Sequence, residues 1–147
     1  MKITNFNLIN IIKMLDNYVE KKLPQKISYA ITRNFDIFKN NYGYYEKSLN
    51  KLFSKYDKYI TKDDNSNIIF NDAGIPIIEN SKSKEFNEEL ANLLNIEIEI
   101  NPYYIPENSF DYEDNKNRYD SLSALDIINL QSVLCCQNGS DANEISD

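Results

Sequence analysis

The chain has no histidine, and its only two cysteines, Cys135 and Cys136, are adjacent. Imidazole acid/base catalysis and histidine-ligated metal sites are therefore excluded outright. Neighbouring cysteines seldom bridge each other. No Cys-x-x-Cys spacing or nearby cation accompanies the pair, so reduced thiols packed at a helix end are the plain reading. No apolar run approaches the roughly 18 residues of a membrane span. Met1-Lys2-Ile3-Thr4-Asn5 lacks the apolar core and small-residue cleavage site of a secretory signal, so a cytoplasmic protein is expected.

Of the 147 residues, 41% are hydrophobic, enough for one domain with a real core. The net charge of −7 hides an asymmetry. Residues 1–62 hold 12 Lys and Arg against 5 Asp and Glu, whereas residues 63–147 hold 4 against 18. Such a split arises either from two faces that meet different partners or from two halves that attract each other in the fold.

The strongest pattern lies between Pro24 and Ile60. From Phe35 onward the apolar and aromatic residues advance by alternating steps of three and four. This puts Phe35, Tyr42, Leu49 and Tyr56 at heptad position a, and Phe38, Tyr45, Leu52 and Tyr59 at d. The spacing predicts a helix over about 24–60, roughly 50 Å long at about 1.5 Å per residue. Its ring-rich seam needs a covering partner, either from within the chain or from a second copy, so the expected state is monomer or homodimer. Gly43 falls mid-helix, costs about 1 kcal/mol relative to alanine and marks a possible bend.

Before it, Leu8, Ile12, Leu15 and Val19 form the stripe of a helix over about 5–22, capped by Thr4 or Asn5. Leu23-Pro24 is too short a link for anything but a helical hairpin. After the long helix, the runs 67–70 and 75–78 flank Asn71-Asp72-Ala73-Gly74 and read as a β-hairpin, with Pro76 confining the second run to an edge. A helix over about 84–95, capped by Ser81 or Ser83, leads into Ile96-Glu97-Ile98-Glu99-Ile100. The strict alternation of that run marks a strand over 96–100. Residues 108–120 read as a flexible acidic loop. Ser123 with Asp126 forms a capping box for a last helix over about 122–136, which turns Leu122, Leu125, Ile128 or Ile127, Leu130 and Leu134 inward. Gln137 to Asp147 reads as a disordered polar tail. The expectation is one α+β domain over 1–136, with a long helical hairpin, a small antiparallel sheet, two further helices and no internal repeat.

Catalytic constellations are missing. Asp111 cannot start an EF-hand loop, because positions six and twelve would be Lys116 and Leu122. Glu97 and Glu99 lie about 7 Å apart on one strand face. No pocket or nucleophile accompanies them, so the solvent face of a half-buried strand explains them. Lys47, Lys51 and Lys58 occupy outer positions of the long helix, with Tyr44 on the same face and Lys55 at its flank. A basic, aromatic face of this kind follows a phosphate backbone in some proteins. Here no arginine joins it and the whole chain is acidic, so direct nucleic acid binding is not expected. The acidic half, conversely, has the charge density to imitate nucleic acid. The candidate partner-binding residues are thus Tyr44, Lys47, Lys51 and Lys58 on the basic face, and Glu97, Glu99, Asp111, Glu113 and Asp114 on the acidic one. No catalytic residue, metal ligand or cofactor is expected.

The N-terminal helix ending in Lys22-Leu23-Pro24, the following Lys26-Ile27-Ser28-Tyr29-Ala30-Ile31-Thr32-Arg33-Asn34, and Glu85-Phe86-Asn87-Glu88-Glu89-Leu90 leading into Ile96-Glu97-Ile98 carry a resemblance. Over about residues 2–134 the chain resembles a family of small tailed-phage and prophage proteins of unassigned function, with Leu-Pro-x-Lys-x-Ser-Tyr-x-Ile-x-x-Asn as its most specific stretch. The resemblance brings no catalytic residues. It implies a phage origin and action in the host cytoplasm. The resulting expectation is a non-enzymatic protein that binds a host complex, in its sharpest form an inhibitor of a defence nuclease of the anti-CRISPR type. The alternative is a virion or assembly accessory protein that oligomerises through the long helix.

Overall fold

A computed structural model describes residues 1–136; the tail over 137–147 lies outside the described residues. The fold is α+β. Strand β1 (Lys2–Thr4) runs into helix α1 (Asn5–Asp16), and α2 (Gln25–Lys55) follows. Then come α3 (Asn80–Leu94), β2 (Glu97–Glu99) and α4 (Ala124–Leu134). The spine is α2, whose 31 residues span roughly 47 Å.

Its seam is filled from within the chain. The d residues Phe38, Tyr45 and Leu52 are buried, while a residues Phe35, Tyr42 and Leu49 are half-buried at the seam edge. Two separate cores share the helix. The proximal core sets Ile27, Ile31 and Phe38 against Leu8 and Leu15 of α1, Leu130 and Leu134 of α4, and Ile100, Ile105 and Phe110. The distal core sets Leu52 and Tyr56 against Phe86 and Leu90 of α3, with Ile60 and Ile78. Around Gly43 a methyl group would meet no atom within 4 Å, so the glycine serves no close approach.

A fully buried polar residue organises the proximal core. The Asn34 amide donates to the Ala30 carbonyl at 2.9 Å and to the Tyr103 carbonyl at 2.7 Å, and its oxygen accepts from the Tyr103 N–H at 2.8 Å. A buried amide with its hydrogen bonds made stabilises, whereas an orphaned one would cost about 1–3 kcal/mol. Asn34 thereby pins the otherwise irregular Pro102–Pro106 segment to α2. The rest of the Leu-Pro-x-Lys-x-Ser-Tyr-x-Ile-x-x-Asn stretch acts in the same place. Ser28 Oγ donates to the Leu23 carbonyl at 3.2 Å, Tyr29 packs edge-on to Tyr103 at 5.5 Å, and Ile31 is buried.

Several boundaries differ from the sequence expectations. Helix α1 stops at Asp16 instead of residue 22. The chain then turns tightly, Tyr18 N–H donating to Leu15 O and Lys21 N–H to Tyr18 O. This places the Tyr18 hydroxyl 2.5 Å from Asp126 at the start of α4. Helix α2 stops at Lys55, where Tyr56 leaves helical geometry (φ −103°), and a short 3-10 turn over Asp57–Tyr59 follows. Helix α3 begins at Asn80 after Glu79, so neither Ser81 nor Ser83 caps it. The capping box of α4 is present, with Asp126 N–H donating to Ser123 Oγ and Ser123 N–H to Asp126 Oδ2. Leu125 of that helix is exposed rather than inward, because Leu130, Val133 and Leu134 supply the buried face.

The strand of residues 96–100 does not pair with the hairpin. Reduced to Glu97–Glu99, it pairs antiparallel with β1, Ile3 opposite Ile98. A lone two-stranded ribbon is marginal in water. This one is anchored by Asn5, a buried residue whose side chain donates to Leu93 O at 2.9 Å while its N–H donates to Ile96 O at 3.0 Å.

The expected hairpin is a three-sided cap. Segments 60–62, 68–70 and 76–78 pair end to end, Lys62 with Ile68, Phe70 with Pro76, and Ile78 with Ile60. Their middle residues close a ring. Thr61 N–H donates to Ile77 O (2.8 Å), Ile77 N–H to Ile69 O (2.9 Å) and Ile69 N–H to Thr61 O (3.1 Å). The two corner turns are copies eight residues apart. Asp63 Oδ1 accepts from the N–H of Asn65 and Asn67, and Asn71 Oδ1 from those of Ala73 and Ile75. Ser66 (φ 65°) and Gly74 (φ 75°) take the same left-handed position. An internal repeat is therefore present, which corrects the expectation of none. It is written in turn chemistry, Asp and Asn being the residues whose side chains mimic a backbone turn, while the strand residues between the turns differ.

Candidate functional site

The nine candidate residues fall into four places. Tyr44, Lys47 and Lys51 stay together on the outer stripe of α2. Lys58 leaves the stripe, because the helix ends at Lys55 and Lys58 sits in the following turn. Tyr44 is 73% exposed. Lys47, Lys51 and Lys58 form no ion pair among the described residues.

Beside this stripe, α2 and α3 diverge over a groove of about 470 Å³. Leu52, Leu93 and Ile96 give it an apolar floor, and Ser48, Lys51, Lys55, Glu89 and Asn92 line its polar rim. On α2 the lining residues 48, 51 and 55 continue the stripe that Tyr44 begins, since steps of three and four stay on one helix face. Ile96 is half exposed at the end of α3. One wall is charged and paired through Glu89 Oε1, while Glu89 Oε2 is buried without a hydrogen-bond partner among the described residues. Lys55 Nζ lies 2.5 Å from Glu89 Oε1, and the Lys55 ammonium and the Tyr56 hydroxyl hold the Glu89 carboxyl below the usual carboxylate range. Glu89 in turn, with burial, pushes the Tyr56 phenol up to about 12. Lys51 is thus the open cation of the rim.

The acidic candidates are occupied differently. Glu97 pairs with Lys2 at 2.9 Å, and Glu99 lies 3.6 Å from the Met1 amino group. Both carboxylates tie β2 to β1 instead of presenting a free acidic face. Residues 107–120 are folded, in contrast to the expected flexible loop. A 3-10 turn over Glu107–Phe110 buries Phe110, and Tyr112 packs edge-on to Tyr119 at 5.6 Å. Asp114 accepts from the N–H of Arg118 (2.8 Å) and Tyr119 (2.9 Å), which lowers its pKa. Asp120 N–H donates to Lys22 O, and its carboxylate accepts from Lys22 N–H, both at 2.7 Å. Asp111 and Glu113 remain exposed there, far along the chain's path from the groove.

Every carboxylate with a shifted pKa has a structural cause. Asp126 is held low by Tyr18 and the helix cap, Asp63 and Asp114 by turn amides, and Glu89 by Lys55 and Tyr56. Cys135 packs in the proximal core, where burial pushes its thiol up, away from reactivity. Among the described residues no group of three His, Cys, Asp or Glu side chains has the arrangement to hold a metal ion. Nor is any helix among them long and apolar enough to cross a membrane.

Two surface features carry no counterpart among the nine. Arg33 stacks over the Tyr103 ring at 4.8 Å and donates to the Tyr29 hydroxyl at 3.0 Å. Ile68, Ile69, Phe70 and Ile77 of the cap are all exposed. The short β-branched runs signalled strands, but not that part of them would stay uncovered. No family model, curated protein or solved structure matches this chain.

Proposed function

We propose that this chain is a phage-encoded, non-enzymatic protein-binding protein that acts on a host complex in the host cytoplasm, in its sharpest form an inhibitor of a defence nuclease of the anti-CRISPR type. The observation that carries the binding reading is the Tyr44–Lys47–Lys51 stripe. An exposed aromatic ring and two lysines free of ion pairs follow one face of α2, and the last of them, Lys51, lines a groove with an apolar floor. Exposed tyrosine is a common anchor in protein interfaces. Unpaired lysines steer and orient an acidic partner more than they add affinity. The groove therefore suits a partner segment with an apolar side chain for Leu52, Leu93 and Ile96 and a carboxylate for Lys51. The phage and host parts of the reading rest on the resemblance of the Leu23–Asn34 stretch to tailed-phage proteins. Oligomerisation through the long helix loses its motive, because the helical d residues Phe38, Tyr45 and Leu52 are buried inside one chain.

The test uses purified host defence nuclease complexes, the intact chain and the double variant Lys47→Glu/Lys51→Glu. The expected result is co-elution and loss of nuclease activity with the intact chain and neither with the variant, together with poorer plating of a phage deleted for the gene on a defended host. Unchanged nuclease activity and unchanged plating would sink the inhibitor reading. Recovery of the chain from purified virions would replace it with the virion role.

A further inference from the structure

The three-sided cap is the second surface of the molecule, and its chemistry is opposite to that of the groove. Four of the large hydrophobic residues left exposed lie within ten residues of one another: Ile68 at 39%, Ile69 at 37%, Phe70 at 55% and Ile77 at 40%. The inner side of the cap is covered, with Ile60, Pro76 and Ile78 buried and Ile60 and Ile78 in the distal core. Strand alternation puts the middle residues 61, 69 and 77 on the other side, so Ile69 and Ile77 share the outward face, while Ile68 and Phe70, in register with Ile60 and Ile78, stay exposed where the core does not reach them. The backbone N–H and C=O of these three are consumed by the ring of hydrogen bonds. The cap thus offers side chains and no ladder edge at its centre, and an incoming strand cannot extend it there. Paired Asx turns hold two corners, so the patch is built before any partner arrives.

The charge around the patch selects the partner. Residues 61–79 carry Asp63, Asp64, Asp72 and Glu79 against Lys62 alone, and none of these five joins an ion pair among the described residues. Exposed apolar side chains gathered on one cap with a polar rim mark an interaction site, and an uncompensated acidic rim favours a cationic counterpart and repels nucleic acid and anionic lipid. We propose that the cap over residues 60–78 is a docking surface for a basic, apolar patch on another protein, independent of the α2–α3 groove.

The experiment reads isoleucine methyl resonances of the full chain. Ile69 and Ile77 report on the cap, and Ile96 reports on the groove. The probes are two synthetic amphipathic helical peptides of equal length, one of leucine and lysine and one of leucine and glutamate. The lysine peptide is expected to move Ile69 and Ile77 and leave Ile96 in place, with binding weakened about tenfold by Asp64→Lys/Asp72→Lys and about as much by Phe70→Ser. These three positions are exposed, so an unchanged thermal midpoint is the control for folding. The glutamate peptide is expected to move Ile96, and its failure to do so would count against the groove alone. The cap proposal is overturned if the lysine peptide leaves Ile69 and Ile77 unmoved, or if charge reversal leaves its affinity unchanged. It is equally overturned if these methyls shift with protein concentration without peptide, which would make a second copy the occupant, or with anionic vesicles.

Discussion

The two ends of α2 are built differently. The proximal end carries a broad core drawn from α1, α4, β2 and the 100–112 segment, locked by the three hydrogen bonds of Asn34. The distal end carries a small core of mostly one helix pair and the cap. It is rich in rings: Phe86 packs edge-on to Tyr56 at 5.4 Å and stacks with Phe53 at 6.1 Å. Both ends leave apolar residues exposed, Phe6, Tyr29, Tyr104, Leu125 and Ile128 on proximal elements and Ile68, Ile69, Phe70 and Ile77 on the cap, but only the cap gathers four of them within ten residues. A region with fewer buried contacts opens locally at lower free energy. Both proposed docking surfaces, groove and cap, belong to that distal half, so under both proposals the proximal core is the mount for the part that would meet partners.

The sharpest way to break this contrast is to cut one ring from each core. Phe38→Ala is expected to cost about 3–5 kcal/mol and to lower hydrogen-exchange protection in α1, α2 and α4 together. Phe86→Ala should strip protection from α3 and the cap while α1 and α4 keep theirs. Equal loss everywhere in both variants would make the two cores one cooperative unit. Next in size, Asn34→Leu should cost about 2–3 kcal/mol in denaturant unfolding, because it leaves the Tyr103 N–H and C=O without partners.

The pH dependence separates the ends more gently. Asp126 in the proximal half and Glu89 in the distal half both titrate below the usual carboxylate range. Groups with depressed folded pKa values stabilise above their unfolded values, and that contribution is lost as pH falls through the folded ones. Stability should therefore drop on acidification below about pH 4, and Asp126→Asn should flatten that drop. Burial and Asp126 push Tyr18 up to about 12, and Glu89 does the same for Tyr56. Both phenols should lose their stabilising contribution as pH rises from 10 to about 12. Tyr56→Phe should remove its share of that alkaline loss, read from thermal melts across the range. The smallest effect belongs to the joint between the cores. Gly43→Ala meets open space and is expected to stabilise by about 0.5–1 kcal/mol. A destabilisation would mean that the glycine is needed where the two cores meet.

Much of the helical framework was readable beforehand because its signals are local. The three-four spacing from Phe35 to Tyr59 located the seam, Leu23-Pro24 the hairpin link, and Ser123 with Asp126 the cap of α4. Of the candidate residues, Tyr44, Lys47 and Lys51 share the stripe expected for them, since one helix face holds them. The ion pairs of Glu97 and Glu99 were not legible, because their lysine and amino-terminal partners lie at the opposite end of the chain. The partners of Asp114 are the amides of its own turn.

By itself the sequence determined which segments are helical, the caps of α1 and α4 and the apolar seam of α2, since these follow from contacts within a few residues. Tertiary structure alone decided that Ile3 lies opposite Ile98 and that Asn34 grips Tyr103, 69 residues away. It alone decided that three short runs close into a ring with one apolar side uncovered. Those choices depend on which distant groups can satisfy a buried amide or an open strand edge, and no local pattern records the partner.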